Sequence, residues 1–263
     1  MTILLAVPLL IAQSEPLAIT PHSTIHLFDG KSLDNFESWL VNHHRADPNR
    51  VFTVVDRVDG KPAIRASGQD WGGIVTKNAY KDYKLVVEYR WGAITWGSRQ
   101  DRTKDNGILL HAQGPLGAYA KDFNGPWMRS VEFQIIEGGV GDIILVGGYT
   151  AQGDLLRPTL KATSRKSGNQ NIFDPKGAPT VYAGGRINWW GRSPEWVDKL
   201  GFRGPQDPDS PGTEWTRIEA IVRGDTLKYY VNGTLVNEGS ECSMKEGRIL
   251  LQSEGAEIYF RRV

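Results

Sequence analysis

Short alternations of apolar and polar residues fill the chain from Thr24 onward, and glycine, asparagine and aspartate separate them. A period of two predicts half-buried strands, and no helical period persists over three turns. Many short strands with frequent turn signals predict an all-β jelly-roll sandwich. The predicted strands are residues 51–56, 62–66, 72–76, 83–91, 107–112, 130–136, 142–146, 215–222, 226–231, 234–237, 247–253 and 256–262.

Two local features refine this outline. Asn232-Gly233 stands between two β-rich runs and predicts a hairpin with a type I′ turn, because both residues tolerate positive φ. Residues 147–213 are dense in glycine, proline and charge, which predicts a long loop insertion. The insertion contains Trp189, Trp190 and Trp196, and aromatic residues favour an ordered, functional loop over a disordered linker.

The first 20 residues differ from the rest. A run of about ten apolar residues is too short to span a bilayer and has the length of a signal-peptide core. Residues 1–20 are therefore expected to be a signal peptide or an N-terminal tail, followed by a single domain at 24–263, and the protein is expected to be secreted or periplasmic. No later segment is apolar enough to cross a membrane.

Composition narrows the ligand classes. The 263 residues carry a formal net charge of +1, so no whole-molecule field favours nucleic acid or an anionic membrane, and a neutral ligand fits better. Nine Trp, nine Tyr and eight Phe could supply flat apolar faces for sugar rings. The single cysteine, Cys242, excludes an intramolecular disulfide and is expected to be a buried thiol.

Long polar side chains recur on one face of four predicted strands. Strand alternation places them there, and lysine is scarce at these positions. They form either the wetted face of an antiparallel sheet or a hydrogen-bonding groove for a polyol, and the pattern leaves both readings open. The positions are Glu88, Arg90, His111, Gln113, Glu132, Gln134, Gln252 and Glu254.

Glu132, Gln134 and Glu137 form an E-x-Q-x-x-E triplet. It is similar to the E-x-D-x-x-E signature of laminarinase-type glucanases, in which one glutamate attacks the anomeric carbon and the other protonates the leaving oxygen. Glu137 would join the other two on one face only if the strand bulges. Gln134 stands where the signature has an acid, which argues against that mechanism.

Several segments in order resemble the 3-keto-disaccharide hydrolase domain, over about Ile25 to Val263. They are LFDGKSLDNF at 27–36, YKDYKLVVEYRW at 80–91, DNGILLH at 105–111, VEFQIIEGG at 131–139, EWTRIEAIV at 214–222, VNG at 231–233 and GRILLQSEGAEIYFRR at 247–262. The resemblance implies a concanavalin A-like jelly roll of two curved antiparallel sheets in an exported protein. It also implies an enzyme acting on glycosides that carry a ketone at C3.

A 3-ketone acidifies the C2 hydrogen, so a base can remove it, the C1 oxygen can leave by elimination, and water can then add. Such a site needs a base, a holder for the enolate oxygen and an acid. Glu132 is the leading catalytic carboxylate, and His111 is a candidate acid, base or metal ligand, with a packing role as its alternative.

The remaining roles follow the same scheme. Arg90 and Lys77 are candidates for the enolate or a hydroxyl, and Glu88 belongs to the same polar face. Candidates for anchoring hydroxyls are Asn106, Gln134 and Gln252. Candidates for covering the ring are Trp189 and Trp190, with buried aromatic packing as the alternative for both. Glu137 and Asp142, which flank glycines, either hold a divalent cation or belong to an ordinary turn.

Three functions stay open on sequence alone. The first is an enzyme that cleaves 3-keto-glycosides, the second a non-catalytic carbohydrate-binding module, and the third a retaining glucanase. In all three the expected partner is a saccharide. The sequence specifies neither a metal nor an oligomeric state.

Overall fold

A computed structural model describes residues 15–263 as a sandwich of two seven-stranded antiparallel sheets, which confirms the predicted all-β class. The first sheet contains, in spatial order, β1 (Phe36–Leu40), β4 (Gly72–Thr76), β18 (Arg248–Ser253), β6 (Asp105–Gln113), β7 (Arg129–Ile136), β8 (Ile143–Val146) and β14 (Gly185–Ile187). The second contains β17 (Thr234–Gly239), β16 (Thr226–Val231), β15 (Thr216–Arg223), β5 (Lys84–Thr95), β19 (Ala256–Arg261), β3 (Lys61–Ala66) and β2 (Phe52–Val58).

Alternation along each strand gives each sheet one inner and one outer face. In β7, Val131, Phe133 and Ile135 are buried in the main core between the sheets, while Glu132 and Gln134 point to the outer face of the first sheet. The Phe133 ring stacks on Tyr229 of the second sheet, with centroids 4.2 Å apart. The apolar positions of both inner faces thus form one core.

The hairpin prediction is confirmed. β16 and β17 pair directly, and Asn232 and Gly233 between them have φ of 47° and 83°, as a type I′ turn requires. Cys242 is a buried free thiol, also as expected.

The prediction of one long loop at residues 147–213 is wrong for its first half. Residues 148–187 contain β9 (Gly148–Tyr149), β10 (Leu155–Leu156), β11 (Thr159–Ser167), β12 (Gln170–Phe173), β13 (Ala178–Ala183) and β14. Strands β11 to β13 form a small sheet of their own. β13 is largely exposed on both faces, so it lacks the apolar alternation that marks a half-buried strand.

The outer face of the first sheet carries a second, smaller apolar cluster. Leu109 of β6 and Leu250 of β18 pack there with Trp127 and Met128, which end the loop at residues 114–128. This loop therefore covers part of the outer face, and the polar residues of the same face lie beside it.

The apolar leader predicted within residues 1–20 falls mostly on residues 1–14, which lie outside the described residues. From Glu15 to the C-terminus, no helix has the length and hydropathy needed to cross a membrane. The only helical element in this part of the chain is the 3-10 turn Gly97–Arg99.

Candidate functional site

A gap in the side-chain layer marks the centre of the outer face of the first sheet. Gly73 pairs with Gln252, and Gly107 pairs with Gln134, so two glycines alternate with two amides across four neighbouring strands. Gln252 lies beside Gly107, because the preceding residue of β18 pairs with Ile108. The glycines leave an open floor, and the amides flank it.

Glu132 occupies this gap. A Cβ placed on Gly107 would collide with Oε1 of Glu132 and would lie 2.7 Å from Oε1 of Gln252. The Glu132 carboxyl and the Gln252 amide oxygen therefore meet over the bare backbone of Gly107. Only 5% of Glu132 is exposed, so the carboxyl is almost completely removed from solvent.

Burial first, and then the charge of Asp105, raise the pKa of the Glu132 carboxyl to about 8. Glu254 lies next to the same cluster, and burial together with the charges of Asp105 and Glu132 raises its pKa well above its ordinary value. The pKa of Asp105 is raised to about 6 by burial, against the opposing charge of Arg99. Three acids thus share one poorly solvated site, a common feature of catalytic centres.

Two arginines supply positive charge to this site. Arg99, which ends the 3-10 turn, forms an ion pair with Asp105 and lies 3.8 Å from Oε1 of Glu254. Arg186 of β14 lies 3.8 Å from Asp142, and its charge lowers the pKa of Glu132. Its side chain keeps 35% of its exposure, so it can reach a ligand at the open side of the site.

Both amides present unpartnered oxygens. Nε2 of Gln134 donates to Oδ1 of Asp105 at 2.7 Å, which leaves Oε1 as the free end of the amide. The Oε1 atoms of Gln134 and Gln252 are buried without a hydrogen-bond partner. These two oxygens can therefore accept hydrogen bonds from a ligand.

A group of tryptophans stands on the opposite side of the floor from Arg186. Trp39 of β1 pairs with Gly73 and donates from Nε1 to the carbonyl of Gly125 at 2.9 Å. Trp71 directly precedes β4 and lies 6.1 Å from Trp127, ring centroid to ring centroid. Trp39 and Trp71 are half-buried beside the small apolar cluster. Trp39, Trp71 and Trp127 are called the aromatic wall below.

The prediction that Glu88 and Arg90 share a face with Glu132 is wrong. Val87 and Tyr89, which alternate with them along β5, point into the core. Glu88 and Arg90 therefore lie on the outer face of the second sheet. Glu88 pairs with Arg261 at 2.6 Å, and Arg90 pairs with Asp59 at 2.7 Å. The whole thickness of the sandwich separates both residues from Glu132.

His111 is also on the other side of the first sheet from Glu132. It stands at a register shift of β6 with a φ of 54°, and this irregularity breaks the alternation that placed it on the polar face. Nδ1 lies 2.8 Å from the carbonyl of Met244, and the ring packs edge-on against Tyr83 in the core. Burial lowers the pKa of His111. These contacts fit a packing role for His111, which was the alternative to a role as acid, base or metal ligand.

Asn106 and Lys77 do not reach the site either. Asn106 is fully buried on the inner face of the first sheet. Its Nδ2 donates to the backbone carbonyl of Gln252 at 2.9 Å, where the regular pairing of β6 with β18 has ended. Lys77 is exposed and follows β4 at the end away from Gly73. Asn106 therefore joins two strands, and Lys77 lies on the surface.

The two tryptophans expected to cover a sugar ring have other surroundings. Trp189 is completely buried in the main core. Trp190 is 39% exposed, but Nε1 donates to the carbonyl of Leu235 at the edge of the second sheet. The aromatic wall, in contrast to Trp189 and Trp190, borders the floor formed by Gly73 and Gly107.

Glu137 and Asp142 have the backbone contacts of an ordinary turn, which was the alternative to a divalent cation for both. The Glu137 carboxylate accepts from the backbone N–H groups of Lys104 and Gly201. Asp142 accepts from the N–H of Trp189 at 2.8 Å and lies 3.3 Å from Arg192. Across residues 15–263, no group of three or more His, Cys, Asp or Glu is arranged to hold a metal ion.

No bulge brings Glu137 onto the face of Glu132. β7 keeps regular pairing with β6 from Val131 to Ile136, and Glu137 follows in the turn after the strand. The glucanase triplet is therefore not assembled: its third acid is fixed by backbone donors at the end of the sheet.

Two arginines that sequence reasoning missed come from outside the long strands. Arg99 is part of a 3-10 turn, and Arg186 comes from a three-residue strand inside the predicted insertion. Asp105 is the first residue of the DNGILLH segment and begins β6, and Glu254, already placed on the polar face, belongs to the segment GRILLQSEGAEIYFRR. Membership of segments that carry the resemblance was a usable signal for these two acids, whereas the two arginines had none.

A cavity of about 670 Å³ lies elsewhere in the molecule, between residues 21–27 and the beginning of β5. Tyr80, Tyr83, Lys84 and Arg262 line it, and none of the predicted site residues does. Its size is in the range of ligand pockets, but it brings together no cluster of acids comparable to that around Glu132.

Similar solved structures have low identity to this chain. A candidate glycosyl hydrolase from Parabacteroides distasonis is 15% identical, with 90% of this chain and 89% of that chain covered and a TM-score of 0.48. The carbohydrate-binding module CBM66 from Bacillus subtilis is 13% identical, with coverages of 86% and 92% and a TM-score of 0.40. A galectin-like protein of unknown function, also from Bacillus subtilis, is 12% identical, with coverages of 80% and 83% and a TM-score of 0.34.

Likeness at this level carries no functional assignment, and no curated protein matches the chain. One comparison covers nearly the whole domain. The family model described as the 3-keto-alpha-glucoside-1,2-lyase-like domain matches residues 23–263, which include the floor, its acids and the aromatic wall. The chain therefore belongs to the 3-keto-alpha-glucoside-1,2-lyase-like family of carbohydrate-acting domains, as the resemblance predicted.

Proposed function

We propose that the protein cleaves glycosides whose sugar carries a ketone at C3, by elimination followed by hydration. The observation that carries this proposal is the Glu132 carboxyl, which is buried, has a pKa of about 8 and meets Gln252 over the bare backbone of Gly107. A carboxylate with such a pKa is a stronger base than an ordinary one, and its ionised fraction grows as the pH rises towards 8.

Ionised Glu132 takes the proton from C2, and the electron pair forms an enolate on the C3 oxygen. The enolate collapses to the ketone, a double bond forms between C1 and C2, and the bond from C1 to the leaving oxygen breaks while that oxygen takes up a proton. Water then adds to C1 and C2 regains a proton, so the net reaction is hydrolysis.

Other residues of the site fit the remaining roles. Arg186, half-exposed at the open side, is the cation that would hold the enolate oxygen, in place of Arg90. Burial raises the pKa of Glu254 well above its ordinary value, which favours its protonated form, and Glu254 would supply the proton to the leaving oxygen. The free oxygens of Gln134 and Gln252 would accept hydrogen bonds from sugar hydroxyls.

The binding-module alternative predicts a saccharide groove without chemistry. Three poorly solvated acids with raised pKa values argue against it, because a groove that only binds hydroxyls gains nothing from carboxyls held close together. The glucanase alternative is disfavoured by the position of Glu137 described above.

The direct test is to incubate the protein with a 3-keto-glycoside and with its unoxidised parent, beside Glu132→Gln. We expect release of the leaving group from the 3-keto-glycoside only, and none with the variant. Turnover of the parent alone would contradict the proposed substrate, and full activity of the variant would contradict the role of Glu132. Binding of both sugars without turnover would favour the binding module.

Export from the cytoplasm is part of the same proposal. Its support is the apolar run near the N-terminus, followed by small and polar residues. N-terminal sequencing of the protein from a periplasmic or culture-medium fraction would test it.

A further inference from the structure

We infer that the aromatic wall is a second sugar subsite that holds the ring of the leaving group, with Trp71 as its platform. The identity of this ring as the leaving group rests on the proposed function. The position at which a second sugar ring binds is a separate claim. The contacts of Trp71 and its position relative to the Glu132 floor carry it.

The sheet register places Trp71 on the floor's border. Gly72 of β4 pairs with Ser253 of β18 in an antiparallel register. Trp71, which precedes Gly72, therefore stands beside Glu254, which follows Ser253. Backbones of neighbouring strands are about 4.8 Å apart, so Trp71 and the Gly107 gap are about 10 Å apart across the sheet. A ligand of two linked sugar rings can therefore contact both, with Glu254 beside the bond between the rings.

The surroundings of Trp71 fit a platform. The Trp71 side chain is half-buried, and Trp127, itself only 7% exposed, packs against it with ring centroids 6.1 Å apart and so restricts its movement. Trp39 shares the row of Gly73, and its ring stacks against His44 with centroids 4.7 Å apart, so it is held from its other side. A rigid, partly exposed indole offers a flat apolar face for the C–H side of a sugar ring.

Charge distribution separates this subsite from the catalytic one. Glu132 and Arg186 lie on the Gly107 side, the small apolar cluster borders the aromatic wall, and Glu254 lies between the two. A 3-keto sugar that becomes an enolate fits the charged side, and a neutral leaving sugar fits the apolar side. The geometry therefore favours disaccharide-like substrates over glycosides with a small alkyl leaving group.

The experiment compares two ligand pairs on wild type, Trp71→Ala and Trp71→Phe. Binding of an unoxidised glucosyl-hexose disaccharide and of methyl glucoside is measured by calorimetry, and cleavage is measured with their 3-keto forms. We expect Trp71→Ala to weaken disaccharide binding and to lower kcat/KM for the 3-keto-disaccharide about tenfold, with the methyl glycosides unchanged. Trp71→Phe should restore most of the loss.

Trp215→Ala is the matched control, because Trp215 is a half-buried tryptophan whose ring lies against Arg261, a strand residue of the second sheet. It should leave both ligand pairs unchanged. If Trp71→Ala does not fold, fluorotryptophan NMR of the wild type, with the Trp71 resonance assigned from Trp71→Phe, gives the same answer. That resonance should shift with the disaccharide and not with methyl glucoside.

The outcomes separate the two claims. An equal effect of Trp71→Ala on both ligand pairs, no effect on either, or no disaccharide binding at all would overturn the subsite. Failure of the wild type to cleave 3-keto-glycosides, with discrimination between disaccharide and methyl glucoside at Trp71 intact, would overturn the proposed function and leave the subsite standing.

Discussion

Replacing Glu132 with glutamine should make the folded protein more stable at alkaline pH while removing its activity. Glu132 has an ordinary pKa of 4.5 in the unfolded chain and about 8 in the folded protein. Below pH 4.5 the carboxyl is protonated in both the folded and the unfolded state, so its pKa difference does not lower the free energy of unfolding. As the pH rises from 4.5 towards 8, the unfolded chain loses this proton and the folded protein keeps it, so stability is lost.

The magnitude follows from the size of this pKa difference. Each tenfold change in proton affinity is worth about 1.4 kcal/mol, so the rise from 4.5 to about 8 costs the folded protein up to about 5 kcal/mol above pH 8. Neighbouring groups relax around a buried charge, and we therefore expect a measured cost of about 2 to 5 kcal/mol. Glutamine keeps the shape of the side chain and carries no charge at any pH.

The assay is urea unfolding of wild type and Glu132→Gln at intervals between pH 5 and pH 9. The free energy of unfolding of the variant should exceed that of the wild type by an amount that grows with pH. Glu214→Gln, the same change at an exposed position, should show no such trend. A variant that is less stable than the wild type by a constant amount at every pH would refute the burial argument.

Further predictions concern neighbouring residues. Asp105→Asn should lower the apparent pKa at which kcat/KM rises with pH, because it removes a charge that raises the pKa of Glu132; an unchanged or raised apparent pKa would count against this coupling. Gly107→Ala should lower kcat/KM about 100-fold by displacing the Glu132 and Gln252 tips, while Gly147→Ala, whose Cβ would have no contact closer than 3.3 Å, should not. His111→Phe should cost about 1–3 kcal/mol of stability in thermal or urea unfolding, because the Met244 carbonyl loses its partner, yet leave kcat/KM unchanged. A large loss of activity in folded His111→Phe would reinstate His111 as a catalytic candidate.

Periodicity predicted the strands well but could not predict which sheet each strand enters. Glu88 and Glu132 were both correctly placed opposite the core-facing residues of their own strands. The sheet order, however, puts β5 in the second sheet and β7 in the first, so the two outer faces look in opposite directions. Strand pairing depends on contacts between residues far apart in sequence, and a local alternation carries no information about it.

Irregular backbone explains most of the other differences. His111 changed faces because its positive φ interrupts the alternation within β6. Arg186 was missed because β14 is only three residues long, which is too short to show the alternation that marks a strand. Glu132, Gln134 and Gln252, by contrast, lie in regularly paired strands, and the structure does bring these three predicted residues together.

The most direct measurement of the central claim is deuterium incorporation when the wild type cleaves a 3-keto-glycoside in D2O. Removal of the C2 proton by Glu132 and later return of a solvent proton predict that the released 3-keto sugar carries one deuterium at C2, under quenching times short enough to avoid spontaneous exchange. Glu132→Gln should release no product. A product that carries the solvent oxygen at C1 but no deuterium at C2 would show direct displacement at C1 and would contradict the elimination mechanism.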